Sequence, residues 1–587
     1  MATALETASL VMVPSGYEDG TLGSLQPLDG TGDFTFTRGS NISATRVNEG
    51  GYIEKGHENL LLQSNTFSDA AWTKYNLTAT GSQEGYDSTN DAWLISLTGG
   101  SGQLRNPVST NGVQTFSVYA KADTLPFVAL YFVGSGEGQY FDLENGTLGS
   151  VFISDTIDSS IESVGNGWYK CSITTNDNIS QLRIYPAGVN NIEATSGSIY
   201  IQDAMLNQGL AAYPYLETTT TTAKGGILEN MPRLDYSGGR CSLLLEPSRT
   251  NLITNSEYIV ASTFPFTEGL TINNNYESSP EGVINAAKII PTAVNSRHNL
   301  RTHLATPNNF DIISCFVKAN GYDYVQLASW ATGANYINFN LTNGTIGSIG
   351  SSGPSIYGIK DYGNGWYRIH ANVQASGSGL IGIGIVTSAS AAWAEPFTGN
   401  GTDGILIYGV QLEQDAPYPT SYIPTYGVSQ TRLKDVFDTN ADLSTYFGNG
   451  QGTFYFEFAD QPFKYLTNNE TINIGLRDGD YQFGLLGRDT SQFFSFINFP
   501  TTNKLINNVT GGIAVARKYL LKWNGSEFRC YVNGEFQFEF LYSVDFQPNN
   551  FGRYGTGYSN TYGELFSEML FFPTALSDEA CIELTTL

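Results

Sequence analysis

Apolar positions along this chain come in short runs rich in β-branched and aromatic residues, and a helical period sustained over a dozen residues is nearly absent. Phe116 to Ala120, Phe127 to Val133, Trp168 to Ile173, Ile199 to Ala204, Tyr324 to Ser329, Tyr336 to Leu341 and Ile405 to Val410 read as strands. Between runs stand the pairs Asn145-Gly146, Asn166-Gly167, Asn343-Gly344, Asn364-Gly365, Asn524-Gly525 and Asn533-Gly534, which accept the positive φ angles of a tight type I′ hairpin turn. Strands spaced by about 8 to 12 residues, in modules of roughly 160 to 180, predict an all-β chain of tandem antiparallel β-sandwiches of jelly-roll type. Very little helix is expected; Ser577 is placed to cap a short terminal one whose first turn carries Asp578 and Glu579.

Two stretches are near-copies of each other. Gly165-Asn166-Gly167-Trp168-Tyr169-Lys170 returns 198 residues later as Gly363-Asn364-Gly365-Trp366-Tyr367-Arg368, and Asn145-Gly146-Thr147 returns at the same offset as Asn343-Gly344-Thr345. Asn59-Leu60 matches Asn251-Leu252, Ile199-Tyr200-Ile201 matches Ile405-Leu406-Ile407, and both copies reach Tyr-Pro, at Tyr213-Pro214 and Tyr418-Pro419. One module has been used twice, with loop insertions between aligned strands. Duplicated modules with variable loops favour adhesion over catalysis.

The Thr-rich run from Glu217 to Gly226 reads as an extended connector, and Pro424 ends the second strand pattern. The expected division is an N-terminal attachment or assembly segment (1–56), a first sandwich (57–217), a Thr/Gly-rich linker with a short β segment (218–246), a second sandwich (247–427) and a C-terminal jelly roll (428–587).

Only 14% of residues are charged, while Gly (64), Tyr (35) and Phe (34) are abundant, the profile of turn-rich β structure. The net charge is −26 with no basic run, so nucleic acid is not an expected partner. The most apolar window, Gly379 to Trp393, is too short and too rich in Gly and Ser for a membrane helix, and no membrane insertion is expected. Met1 to Glu6 lacks the basic and apolar parts of a secretory signal, so export by that route is not expected. Cys171, Cys241, Cys315, Cys530 and Cys581 lack CxxC spacing and read as free, mostly buried thiols.

Gly32-Asp33-Phe34-Thr35-Phe36-Thr37-Arg38-Gly39-Ser40, Ala44-Thr45-Arg46-Val47, Pro232-Arg233-Leu234-Asp235-Tyr236 and Leu243-Leu244-Leu245-Glu246-Pro247-Ser248-Arg249-Thr250-Asn251-Leu252 together resemble a block found in bacteriophage virion proteins of the tail-fibre, head-fibre and receptor-binding kind. The strings Tyr408-Gly409-Val410-Gln411-Leu412-Glu413 and Thr420-Ser421-Tyr422-Ile423-Pro424-Thr425 are similar to the end of that family's sandwich module. Lys522-Trp523-Asn524-Gly525, Tyr531-Val532-Asn533-Gly534 and Ala575-Leu576-Ser577-Asp578-Glu579 resemble a concanavalin A-like (laminin G-like) domain. The resemblance implies a structural virion protein, located on the virion, that binds host-surface polysaccharide or neighbouring virion proteins. It implies a homo-oligomer, often a trimer in such fibres. A capsid decoration protein without glycan binding and a glycan depolymerase of the same appendage are the alternatives. This chain departs from the pattern by inserting a whole extra sandwich after Ile53-Glu54. That copy has Leu206-Asn207 in place of Leu412-Glu413 and lacks the full Ser-Tyr-Ile-Pro-Thr string, which predicts a lost or changed binding role.

Sandwiches that bind sugars stack aromatic rings on the apolar face of a pyranose while Asn, Asp or Gln take its hydroxyls. Trp168 and Trp366, equivalent in the two copies, read as core. Trp330 and Trp393, with Tyr322, Tyr324 and Tyr336 nearby in sequence, have no aligned partners and are the candidates for a carbohydrate-binding face; Tyr131 and Tyr185 are the candidates in the first copy. Asp478 and Asp480 are the one lead toward Ca²⁺, which laminin G-like folds sometimes hold, although a polar hairpin explains them more simply. His57, His298, His303 and His370 fit no zinc spacing, and no nucleophile elbow, P-loop or dinucleotide fingerprint is present. No enzyme activity, catalytic residue or cofactor is expected.

Overall fold

The computed structural model describes residues 6–18, 20–40, 42–152, 156–190, 192–303, 311–330, 333–372, 379–414, 416, 418–439, 442–459, 472–478, 481–489, 492–499, 502–507, 518–541, 546–553 and 564–586. Strand makes up 52% of the chain and helix 3%, arranged in antiparallel sheets, as the run pattern predicts.

The two copies share one topology. In the first, a six-stranded sheet runs in the order Asp158–Gly165, Trp168–Thr175, Gln114–Ala122, Ser198–Gln208, Ala92–Leu97, Leu77–Gln83. In the second the order is Tyr357–Asp361, Trp366–Asn372, Ile312–Asn320, Gly404–Glu413, Ile284–Pro291, Leu270–Ser278. Each packs on a second sheet, built around Phe127–Val133 and Ile179–Val189 in the first copy and around Tyr324–Ser329 and Leu380–Val386 in the second. Inward Val, Ile, Leu and Phe from both sheets form each core. Both copies carry the same bulge opposite the central strand, with Asp203 at φ 53° and Gly409 at φ 59°.

Asn59 and Asn251 explain why Asn-Leu recurs. Asn59 Nδ2 donates to the carbonyls of Ala204 and Leu216, and its Oδ1 accepts from the amides of Leu61 and Leu206. Asn251 makes the same four bonds to Val410, Ile423, Ile253 and Leu412. Tyr215 thereby takes the place of Tyr422, each bonded through its hydroxyl to the equivalent serine, Ser64 or Ser256. The first copy lacks the Ser-Tyr-Ile-Pro-Thr string and keeps its hydrogen bonds.

Turn chemistry divides the Asn-Gly pairs. Asn166-Gly167, Asn364-Gly365 and Asn533-Gly534 have positive φ at both residues, as type I′ turns require, whereas at Asn145-Gly146, Asn343-Gly344 and Asn524-Gly525 only the glycine does. All five cysteines are free; Cys171 and Cys315 occupy the same cross-strand pair in the two copies, on opposite strands. Ser577 Oγ accepts from the amide of Ala580 and caps the helix Asp578–Thr585.

The sheets do not follow the linear division expected from sequence. The larger C-terminal sheet orders Arg233–Asp235, Ser242–Leu245, Glu564–Phe572, Gly452–Phe458, Lys518–Trp523, Glu527–Val532 and Glu535–Leu541, and Leu10–Met12 also pairs with Glu564–Phe572. Phe34–Thr37 pairs with Val436–Thr439. Strands of the first 56 residues and of the presumed linker are thus built into the C-terminal layers. The reason is edge satisfaction: the backbone groups along Glu564–Phe572 are completed by strands remote in sequence, which no local pattern reveals.

Three fully buried arginines knit these segments together. Arg38 pairs with Asp435 at 3.1 Å, Arg233 with Glu246 at 2.8 Å and with Asp435, and Arg432 with Glu246. Arg38, Arg233 and Glu246 are residues of the strings that carry the family resemblance, and here they hold the scaffold together.

Candidate functional site

The second sandwich presents the outer face of its five-stranded sheet, Asn299–His303, Leu380–Val386, Tyr324–Ser329, Tyr336–Asn340 and Thr345–Ile349. Period-two alternation sends Val325 and Leu327 inward and leaves Gln326 and Ala328 on the outer side. Gln326 and Asn338 lie opposite each other there and bond at 2.7 Å. Together they grip the following loop: Gln326 donates to Ala392 O and accepts from Ala394 N, while Asn338 donates to the carbonyls of Ala389 and Ala391. Both amides are consumed in holding the loop, so neither is free to take a ligand hydroxyl, contrary to the role expected of amide residues.

That loop carries Trp393 back over the sheet, where its Nε1 donates to Ser329 O at 2.9 Å. Its ring lies 5.5 Å from that of Trp330, tilted by 56°, and both side chains are half-buried. Trp330 rests on the backbone at Gly382, where a Cβ would come within 2.8 Å of the indole and 2.5 Å of Leu300 O. Only glycine admits this approach.

A cation flanks each ring. The Arg297 guanidinium lies 4.8 Å from the Trp393 ring centre and that of Arg301 lies 5.4 Å from Trp330. Arg301 is fixed by Phe266 O and Glu268, whereas Arg297 forms no ion pair among the described residues. The sequence reading missed both arginines because neither belongs to a motif; a cation in the connection before a strand and another within it give no signal of the rings above them.

The remaining candidates separate. Tyr336 shares a row across the sheet with Ala328 and Gly382, at the Trp end. Tyr324 begins the strand whose far end leads to Trp330, so about 20 Å of strand separates them, and Tyr322 packs against Phe397 at 5.5 Å. Neither joins the Trp pair. In the first copy the same surface is closed: Tyr140 stacks on Phe152 at 4.7 Å, and Phe152 also meets Tyr131 and Tyr185. Tyr185 is only 4% exposed, so its ring faces are already occupied by protein. Trp168 and Trp366 are buried, as expected of core residues.

No protein-family model and no curated protein matches this chain. Among solved structures, the sialidase carbohydrate-binding module CBM40 of Ruminococcus gnavus bound to α2,3-sialyllactose is similar at 18% identity. That match covers 25% of this chain and 92% of that one, with a TM-score of 0.20. The tandem CBM22 domains of Paenibacillus barcinonensis Xyn10C are similar at 12% identity over 64% of this chain and 99% of that one, TM-score 0.20. The LG1–3 region of the laminin α2 chain is similar at 8% identity over 81% and 95%, TM-score 0.17. At such identities and TM-scores none of these proteins' ligands transfers to this chain.

Asp480 lies outside the described residues; Asp478 ends the strand Ile472–Asp478, and its side chain also falls outside them. Among the described residues no three His, Cys, Asp or Glu side chains cluster to hold a metal ion, and no helix is long and apolar enough to cross a membrane.

Proposed function

We propose that this chain is a non-enzymatic bacteriophage virion protein, a tail- or head-fibre component, that holds host-surface glycans on the Trp330–Trp393 face of its second sandwich. The observation that carries the reading is the Trp pair: two half-buried rings, locked by Ser329 and Gly382, each beside an arginine. Rings held this way offer preorganised apolar area to a pyranose without a large ordering cost. The virion assignment rests on the strings around Arg38, Arg233, Glu246 and Ser421, whose resemblance runs from Gly32 to Thr425. Binding without turnover fits these buried carboxylates, since Glu257 and Glu281 are sealed with Lys55 and Asp203 accepts from the Tyr86 hydroxyl. A glycan array probed with the full chain should give saccharide-specific signals that Trp393→Ala abolishes; an array silent for the wild-type chain, with normal incorporation into particles, would refute the glycan role.

A further inference from the structure

The outer face of the second copy's six-stranded sheet is covered, but not filled. A cavity of about 530 Å³ separates it from the segments around Arg46, Asp235 and Ser421, within the range of about 300–1,000 Å³ usual for small-molecule sites. Arg368 lines it. The residue is only 7% exposed, and its guanidinium lies 5.3 Å over the Phe316 ring and donates one bond to Ser314 Oγ. Its Nε has no hydrogen-bond partner and no carboxylate pairs with it among the described residues. Among the described residues the three other deeply buried arginines, Arg38, Arg233 and Arg432, all have acidic partners. A buried guanidinium without a counter-charge is costly unless an anion completes it.

The first copy supplies an internal control. Lys170 stands where Arg368 does, opposite Tyr119 as Arg368 is opposite Phe316. Lys170 spends its protons on the carbonyls of Ala212 and Tyr213, and Tyr86 stacks on Tyr119 at 3.9 Å. The space that is filled by protein in one copy is open in the other.

At the opening stands the exposed Lys360, the cross-strand partner of Arg368 and so on the same face, and across it Asp235, which takes the amides of Val47 and Ser237 and retains acceptor capacity. We infer that this cavity binds a carboxylate-bearing sugar of one or two units, a uronate: its carboxylate meets Arg368 as a charge-assisted pair with Lys360 beside it, and its hydroxyls donate to Asp235. This surface is distinct from the Trp330–Trp393 face and stands whether or not that face binds.

Calorimetric titration of the full chain with glucuronate, galacturonate and their disaccharides, beside glucose and inorganic phosphate, tests it. The expected result is uronate binding that weakens at least tenfold in Arg368→Met and several-fold in Lys360→Gln, is unchanged in Trp393→Ala and has no counterpart with glucose. Arg368→Met keeps the stem over Phe316; should it fail to fold, Lys360→Gln, at an exposed position, carries the test. No uronate binding, equal binding of glucose, binding of phosphate in place of uronate, or uronate affinity unmoved by these variants would overturn the assignment.

Discussion

Lys55 and Glu257, 202 residues apart in sequence, meet at 2.6 Å in a site closed to solvent. Glu281 lies at the same distance from the ammonium, and the rings of Tyr213 and Tyr426 stand 5.2 and 5.3 Å from it. Tyr213 belongs to the first sandwich and both glutamates to the second, so one ammonium joins the two modules to the N-terminal strands. Lys55→Met should leave two uncompensated buried carboxylates and cost about 3–5 kcal/mol. Differential scanning calorimetry should show the transition temperature falling, and much of the loss returning in Lys55→Met/Glu257→Gln.

Glu246 makes the arginine network acid-labile. Burial alone would raise its carboxyl, but Arg432 and Arg233 outweigh burial and hold it at about 2 against an ordinary 4.5. A depressed carboxyl contributes stability that is complete above pH 4.5 and is lost as pH falls toward 2. Glu246→Gln should therefore be less stable than wild type at pH 7 by about 3–5 kcal/mol, and the gap should close between pH 4.5 and 2 in denaturation followed by tryptophan fluorescence.

Asp203 shows the opposite sign. Burial pushes its carboxyl up to about 7 from 3.8, with the Tyr86 hydrogen bond pulling the other way. Its native environment favours the protonated form, so its contribution is present below pH 3.8 and is lost as pH rises through 7. Asp203→Asn accepts the same Tyr86 bond and tolerates φ 53°. It should stabilise the first sandwich at pH 8 by up to about 4 kcal/mol, a gain that thermal melts should find vanishing near pH 4.

The asparagine clamps should prove equivalent. Asn59→Ala and Asn251→Ala each strand two buried carbonyls and two amides, for a loss of about 2–4 kcal/mol. Equal falls in urea midpoint would establish that the first copy, despite its altered string, is braced as firmly as the second; a fall only in Asn251→Ala would refute the equivalence.

Strand positions, the duplication and the helix cap at Ser577 were legible because each is a local pattern of a few residues. Trp330 and Trp393 were legible as unmatched aromatics, and they do meet. Tyr322 and Tyr324 were not separable from them, since nearness along a strand places residues at opposite ends of a sheet. Tyr131 and Tyr185 look like binding residues in sequence because aromatic side chains that cover one another on an outer face have the same composition as an open platform. The pairing of Leu10–Met12 with Met569–Phe571 had no signature at all, because hydrogen bonds across more than 550 residues leave no trace in either strand.

That last pairing orders events during synthesis. Each sandwich draws its strands from one continuous stretch and can close as it leaves the ribosome, N-terminal copy first. Leu10–Met12, made before either, must wait with an open backbone edge until Glu564–Phe572 emerges, so a strand translated early is the one secured late, and truncation near residue 560 would strand it on an otherwise finished pair of modules.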